Sequence, residues 1–141
     1  LMHMLGTPRN MQENPHYRDC VGEIVEFFRE RIDYCVENGI DKSRIILDPG
    51  IGFGKRLSDN LEILAGFREF TQFSLPVLVG VSRKSFIGML HDSKQPPDSR
   101  LGGSLAAVVI AVSGGASIVR AHDVHETVEA LKVLQAVKET T

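Results

Sequence analysis

The chain has 141 residues, 43% apolar and 24% charged, with 16 Lys and Arg against 18 Asp and Glu. This excludes a disordered or collagen-like chain, since apolar content is ordinary and the 13 glycines follow no three-residue period. The longest apolar run, Leu105–Val112, falls far short of the roughly 18 residues of a membrane span, and near-neutral charge argues against a nucleic-acid partner.

The opening Leu1-Met2-His3-Met4 is apolar and reads as a strand entered from within, as if the chain were a piece of a longer one. Residues Leu5–Pro15 form a loop punctuated by Gly6, Pro8 and Pro15. Between Tyr17 and Asn38, apolar side chains recur at Val21, Ile24, Val25, Phe28, Ile32, Cys35 and Val36, predicting an amphipathic helix stopped by Gly39. Cys20 and Cys35 would lie roughly 22 Å apart along it, too far for a disulfide. Residues 1–20 carry no basic lead and apolar run, so a reducing cytoplasm is the expected compartment.

Arg44–Leu47 predicts a strand ending in Asp48-Pro49-Gly50, followed by a helix from about Asp59 to Phe70 with Asp59 and Glu62 as a capping box. Val77–Val81 predicts the next strand, with a short helix from near Lys84 and a loop over Asp92–Asp98. A long apolar helix begins between Asp98 and Ser104 and ends at Gly114-Gly115. Ser117–Arg120 predicts the last strand, and Asp123 caps a helix running to about Lys138. Strand then helix, four times over, with strands apolar throughout, implies an α/β fold on a parallel sheet. A small open sheet and half of an eight-stranded (β/α) barrel both fit.

Polar and Gly-rich residues cluster after each strand, the edge where parallel α/β folds place their sites. In Asp48-Pro49-Gly50-Ile51-Gly52-Phe53-Gly54-Lys55 the spacing matches neither a Walker A loop nor a dinucleotide fingerprint. Asp48 can cap a turn, or accept two N–H donors from a heterocycle that the glycines let approach. Ser82-Arg83-Lys84-Ser85 reads as a solvated basic turn, an anion site at a helix start, or a Schiff-base lysine at Lys84. Arg120 and His122 share one side of a strand and suit a diphosphate. His122 and His125 form an H-x-x-H pair without an evident third metal ligand.

Together these stretches resemble one family, the dihydropteroate synthases of folate biosynthesis. The resemblance rests on Leu1-Met2-His3-Met4 with Gly6-Thr7-Pro8-Arg9 and Met11-Gln12, and on Asp48-Pro49-Gly50-x-Gly52-Phe53-Gly54-Lys55. It continues through Gly80-x-Ser82-Arg83-Lys84-Ser85, Arg100-Leu101 with Gly103-Ser104, and Arg120-x-His122-Asp123-Val124, in family order along the whole chain.

The resemblance implies the C-terminal half of a (β/α)8 TIM barrel: one pterin-binding unit over residues 1–141, strands and helices five to eight of the parent. The implied reaction joins p-aminobenzoate to 6-hydroxymethyl-7,8-dihydropterin diphosphate and releases diphosphate. Asp48 and Lys84 would then hold the pterin, with Met2, Phe53 and Gly80 lining its pocket. Ser85, Lys84 and Gly52-Phe53 would meet p-aminobenzoate, and Arg120 and His122 the diphosphate. The family's Mg²⁺ ligand, an Asn, belongs to its N-terminal half, so this chain is expected to hold no metal and, by itself, to turn over little or no substrate. A homodimer is implied as well. Two alternatives are a corrinoid-type pterin methyltransferase and a non-catalytic fragment that only self-associates.

Overall fold

The computed structural model describes residues 1–11, 13–91 and 95–140. Gln12 and positions 92–94 of the expected loop lie outside them. The fold is mixed α/β. Helices α1 (Cys20–Glu37), α2 (Leu57–Ala65), α3 (Ser85–Gly88), α4 (Leu101–Ser113) and α5 (Val124–Lys138) flank a two-stranded parallel sheet of β1 (Leu78–Val79) and β2 (Ile118–Val119).

Parallel pairing continues beyond these strands as single bridges, Leu47 with Val77 and Met2 with Asp48. The expected strands at residues 1–4 and 44–47 are thus each represented by isolated bridges. Arg44 closes a 3-10 turn, Lys42–Arg44, because the Asp41 carboxylate accepts from the Ser43 amide at 2.8 Å. The pairing order still runs from residue 2 to 48, 47 to 77 and 78 to 118, which brings the chain's Gly-rich and polar loops to one edge.

α1 forms where the apolar spacing places it, with Asp19 as N-cap accepting from Gly22 N at 2.9 Å. Its inner face, Cys20, Ile24, Phe28 and Ile32, is buried. α2 begins two residues earlier than expected. Asp59 accepts from the Arg56 backbone N–H at 2.7 Å, so this carboxylate serves the third helical position and Arg56 is the N-cap. Gly66 ends α2, and a 3-10 segment, Phe67–Phe73, replaces the expected continuation to Phe70. α4 carries little polarity on any face because it packs against α2 on one side and α5 on another.

The centre of the core is aromatic. Phe28 meets Phe70 and Phe73 edge to face, at ring-centroid distances of 6.1 and 6.3 Å. Phe67 adds a third such contact at 5.6 Å from Phe70. This cluster seats α1 against the helical layer that supports the site. Phe28→Ala is therefore expected to lower unfolding free energy by about 3–5 kcal/mol, read from urea denaturation. A loss below about 1 kcal/mol would contradict this packing.

Candidate functional site

The loop after Leu47 is set by its backbone. Gly50 and Gly52 adopt φ of +67° and +81°, conformations that L side chains rarely enter. A Cβ on Gly50 would lie 1.9 Å from the His3 carbonyl oxygen, and one on Gly52 would lie 3.0 Å from Lys84 Cδ. Asp48 closes the turn, its Oδ1 accepting from Gly50 N at 2.8 Å. The turn-capping reading therefore holds, and it occupies one carboxylate oxygen. Buried Asn60 fixes the far side, accepting from Gly52 N at 2.6 Å and donating to Arg56 O at 2.7 Å.

Lys55 runs beneath this loop and is 5% exposed. Its ammonium donates to Phe53 O at 3.1 Å and lies 3.0 Å from His3 Nδ1. Burial brings the Lys55 amine down to about 8. Burial, aided by the Lys55 charge, pushes His3 down to about 4, so its imidazole is neutral and Nδ1 accepts from the ammonium. Tyr17 ties down the end of the loop, its hydroxyl donating to Gly54 O at 2.8 Å. Burial raises the Tyr17 pKa well above the usual phenol value.

Lys84, the N-cap of α3, reaches across to the same loop. Its ammonium donates to the Ile51 carbonyl and lies 4.3 Å from the Phe53 ring centroid, a cation–π contact. Burial lowers the Lys84 amine to about 8; the Asp48 carboxylate opposes that shift and the Arg120 guanidinium adds to it. The neighbouring cation is committed elsewhere. Arg83 donates to Asp123 at 2.6 and 3.1 Å and to Asp98 at 2.5 Å. Those hydrogen bonds hold the Asp123 carboxyl below its ordinary pKa. They also correct the sequence expectation: Asp123 sits at the N-cap of α5, but its side chain makes no capping bond because Arg83 takes it. α3 is a single turn, so the turn's anion-binding capacity lies in Lys84 and not in a helix dipole.

A cavity of about 350 Å³ opens beside Lys84, lined by Gly80, Ser82, Lys84, Arg120, Ala121 and His122. A Cβ on Gly80 would lie 3.1 Å from Arg120 Nη2, so the glycine makes room for that guanidinium. Four of the expected residues, Gly80, Lys84, Arg120 and His122, thus share one space. Gly52 and Phe53 touch Lys84 from the neighbouring loop, and Asp48 acts on it electrostatically. Met2 pairs with Asp48 by a backbone bridge and Ser85 is exposed at the start of α3; neither lines the cavity. Among the described residues no three His, Cys, Asp or Glu side chains gather as a metal site, and His125 is exposed beyond the cavity.

The profile of the pterin binding enzymes matches residues 1–122. The dihydropteroate synthase of Escherichia coli K12 is 53% identical over 136 residues, covering 96% of this chain and 48% of that protein. The Haemophilus influenzae dihydropteroate synthase is 46% identical, over 96% of this chain and 49% of its own length. A Yersinia pestis dihydropteroate synthase solved with a sulfonamide drug superposes with a TM-score of 0.94 at 48% identity, covering 99% of this chain and 50% of that one. The chain spans about half the length of the curated relatives it matches.

The buried His3–Lys55 pair has a consequence for stability. Both groups are bases whose folded pKa lies below the unfolded value, so the unfolded chain binds more protons between the two and stability rises with pH there. For His3 that window runs from about 4 up to 6.5, and for Lys55 from about 8 up to 10.5. Unfolding free energy measured in urea is expected to climb by about 1–3 kcal/mol across the His3 window. His3→Phe should flatten that climb; an equal slope in both proteins would refute it.

Proposed function

The chain belongs to the family of pterin-binding enzymes, and from that premise we propose that it carries the C-terminal half of a dihydropteroate synthase. In this reading its four β/α units are strands and helices five to eight of an eight-stranded barrel, one pterin-binding unit over residues 1–141. What chiefly supports it is the cavity in which Lys84, Arg120 and His122 meet, with Asp48 near Lys84.

A carboxylate on one side and cations on the other match a substrate with a donor edge and an anionic tail. Asp48 accepts hydrogen bonds from the guanidine-like edge of 6-hydroxymethyl-7,8-dihydropterin diphosphate. Lys84 donates to acceptors of the ring, and Met2, Phe53 and Gly80 line the pterin pocket. Arg120 and His122 hold the diphosphate. As the methylene C–O bond breaks, its electron pair leaves with the diphosphate, and the two residues stabilise the charge gathering there. The p-aminobenzoate nitrogen, positioned by Ser85, Lys84 and the Gly52-Phe53 segment, then forms the C–N bond and loses a proton to solvent. Lys84 stays non-covalent throughout, consistent with an amine engaged by Ile51 O and the Phe53 ring.

Mg²⁺ is proposed for the complete enzyme only. Its ligand in this reading lies in the family's N-terminal half, and no step proposed here runs through it. Pairing with a second copy is supported by Val124, Val128, Val133 and Val137, all exposed on α5. No helix among the described residues is long and apolar enough to cross a membrane.

Calorimetric titration of the chain with 6-hydroxymethylpterin tests the reading. Binding is expected, and Asp48→Asn should weaken it about 10- to 100-fold, the range for a hydrogen bond to a charged group. The unaltered chain alone should form little or no dihydropteroate. Equal affinity in both proteins, or none in either, would overturn the reading.

A further inference from the structure

One polar side chain lining the cavity has no role in the reaction as described so far. Ser82 is 7% exposed, and its hydroxyl oxygen makes two contacts with one residue. It accepts from the His122 backbone N–H at 3.1 Å and lies 3.0 Å from His122 Nδ1. The backbone contact uses one lone pair of the hydroxyl and leaves its proton to be placed. The imidazole is the acceptor toward which that proton can turn.

We propose that Ser82 is a positioning residue that acts through His122: its hydroxyl donates to Nδ1, fixes the neutral imidazole as the Nε2–H tautomer, and presents that N–H to the diphosphate. Which ring nitrogen of a histidine carries the proton is set by the hydrogen bond at the other. With Nδ1 occupied, Nε2 is the nitrogen left for a ligand in the cavity that His122 lines. An imidazole in that tautomer is a donor to an anion, where the opposite tautomer would turn a lone pair toward it.

A second tie keeps the two segments in register. The residue after Ser82, Arg83, has φ of +59° and forks onto Asp123, the residue after His122. The Arg83 backbone is clamped as well, its N–H donating to Ser104 Oγ at 2.9 Å and its carbonyl accepting from Arg100 Nη1 at 2.8 Å. Ser82–His122 and Arg83–Asp123 are therefore adjacent rungs between the same two loops, and the imidazole is held against the hydroxyl.

The diphosphate part of this inference rests on the function proposed above; the tautomer part does not. The test is a long-range proton–nitrogen correlation spectrum of the chain labelled with ¹⁵N-histidine, near pH 8.5, where an ordinary imidazole is neutral. The His122 signals are assigned by their loss in His122→Gln. The expected result is the Nε2–H tautomer in the unaltered chain, mixed tautomers in Ser82→Ala, and recovery in Ser82→Thr. In parallel, affinity for inorganic diphosphate should fall about tenfold in Ser82→Ala and return in Ser82→Thr, the scale of one hydrogen bond. An Nδ1–H tautomer in the unaltered chain, or an unchanged spectrum in Ser82→Ala, would overturn the role of Ser82. The proper tautomer with no diphosphate binding by the unaltered chain would instead overturn the diphosphate assignment, leaving Ser82 as the residue that fixes the imidazole.

Discussion

The Lys84 ammonium is the constraint on which the rest of the site depends. A cation withdrawn from water must be repaid by acceptors, and here they come from a loop distant in sequence: the Ile51 carbonyl, the Phe53 ring face and the field of Asp48. That requirement draws the loop after Leu47 against the loop after Val81. It also explains why Gly52 has no side chain, since a Cβ there would press on the lysine stem. Two loops that touch solvent separately would gain little order; joined through one half-buried charge, they form a wall.

The second wall follows the same logic with different groups. Arg83 occupies left-handed backbone, which costs an L residue about 1–2 kcal/mol. Its guanidinium and main chain offset this through Asp98, Asp123, Ser104 and Arg100. The twist sends Arg83 away from the cavity while its neighbours Ser82 and Lys84 line it. Of two adjacent cations, one is spent on architecture and one faces the ligand space. With Arg120 exposed and Gly80 making room for it, the cavity is lined by two cations, Lys84 and Arg120, and the Asp48 carboxylate acts on Lys84 through its field. That pair of cations suits an anionic ligand.

Much of this was legible in the sequence. The helical spacing of Ile24, Phe28 and Ile32 predicts the buried face of α1, and the alternation of elements predicts parallel pairing. Gly50, Gly52 and Gly54 all take positive φ, as a loop built for close approach requires. The unreadable parts are contacts between residues far apart in the chain. Nothing local marks Lys55 as the partner of His3, Tyr17 as the anchor of Gly54, or Asn60 as the brace of Gly52, because each bond crosses to another element. Asp123 shows how a correct local rule is overridden: its position is that of an N-cap, yet Arg83, 40 residues away, offers a charged donor in place of a backbone amide. The expected strand over residues 44–47 is shorter than its run because the Lys42–Arg44 3-10 turn, held by Asp41, takes its first residue.

On the function proposed above, this chain alone carries a ligand wall that runs from Asp48 past Lys84 to Arg120 and His122. The direct measurement is an amide-resolved NMR titration of the chain with a pterin and then with inorganic diphosphate. Pterin-induced shifts are expected to centre on Gly50, Gly52, Lys84 and Gly80, and diphosphate-induced shifts on Ala121 and His122. Shifts scattered over the surface, or confined to α1 and α5, would contradict it.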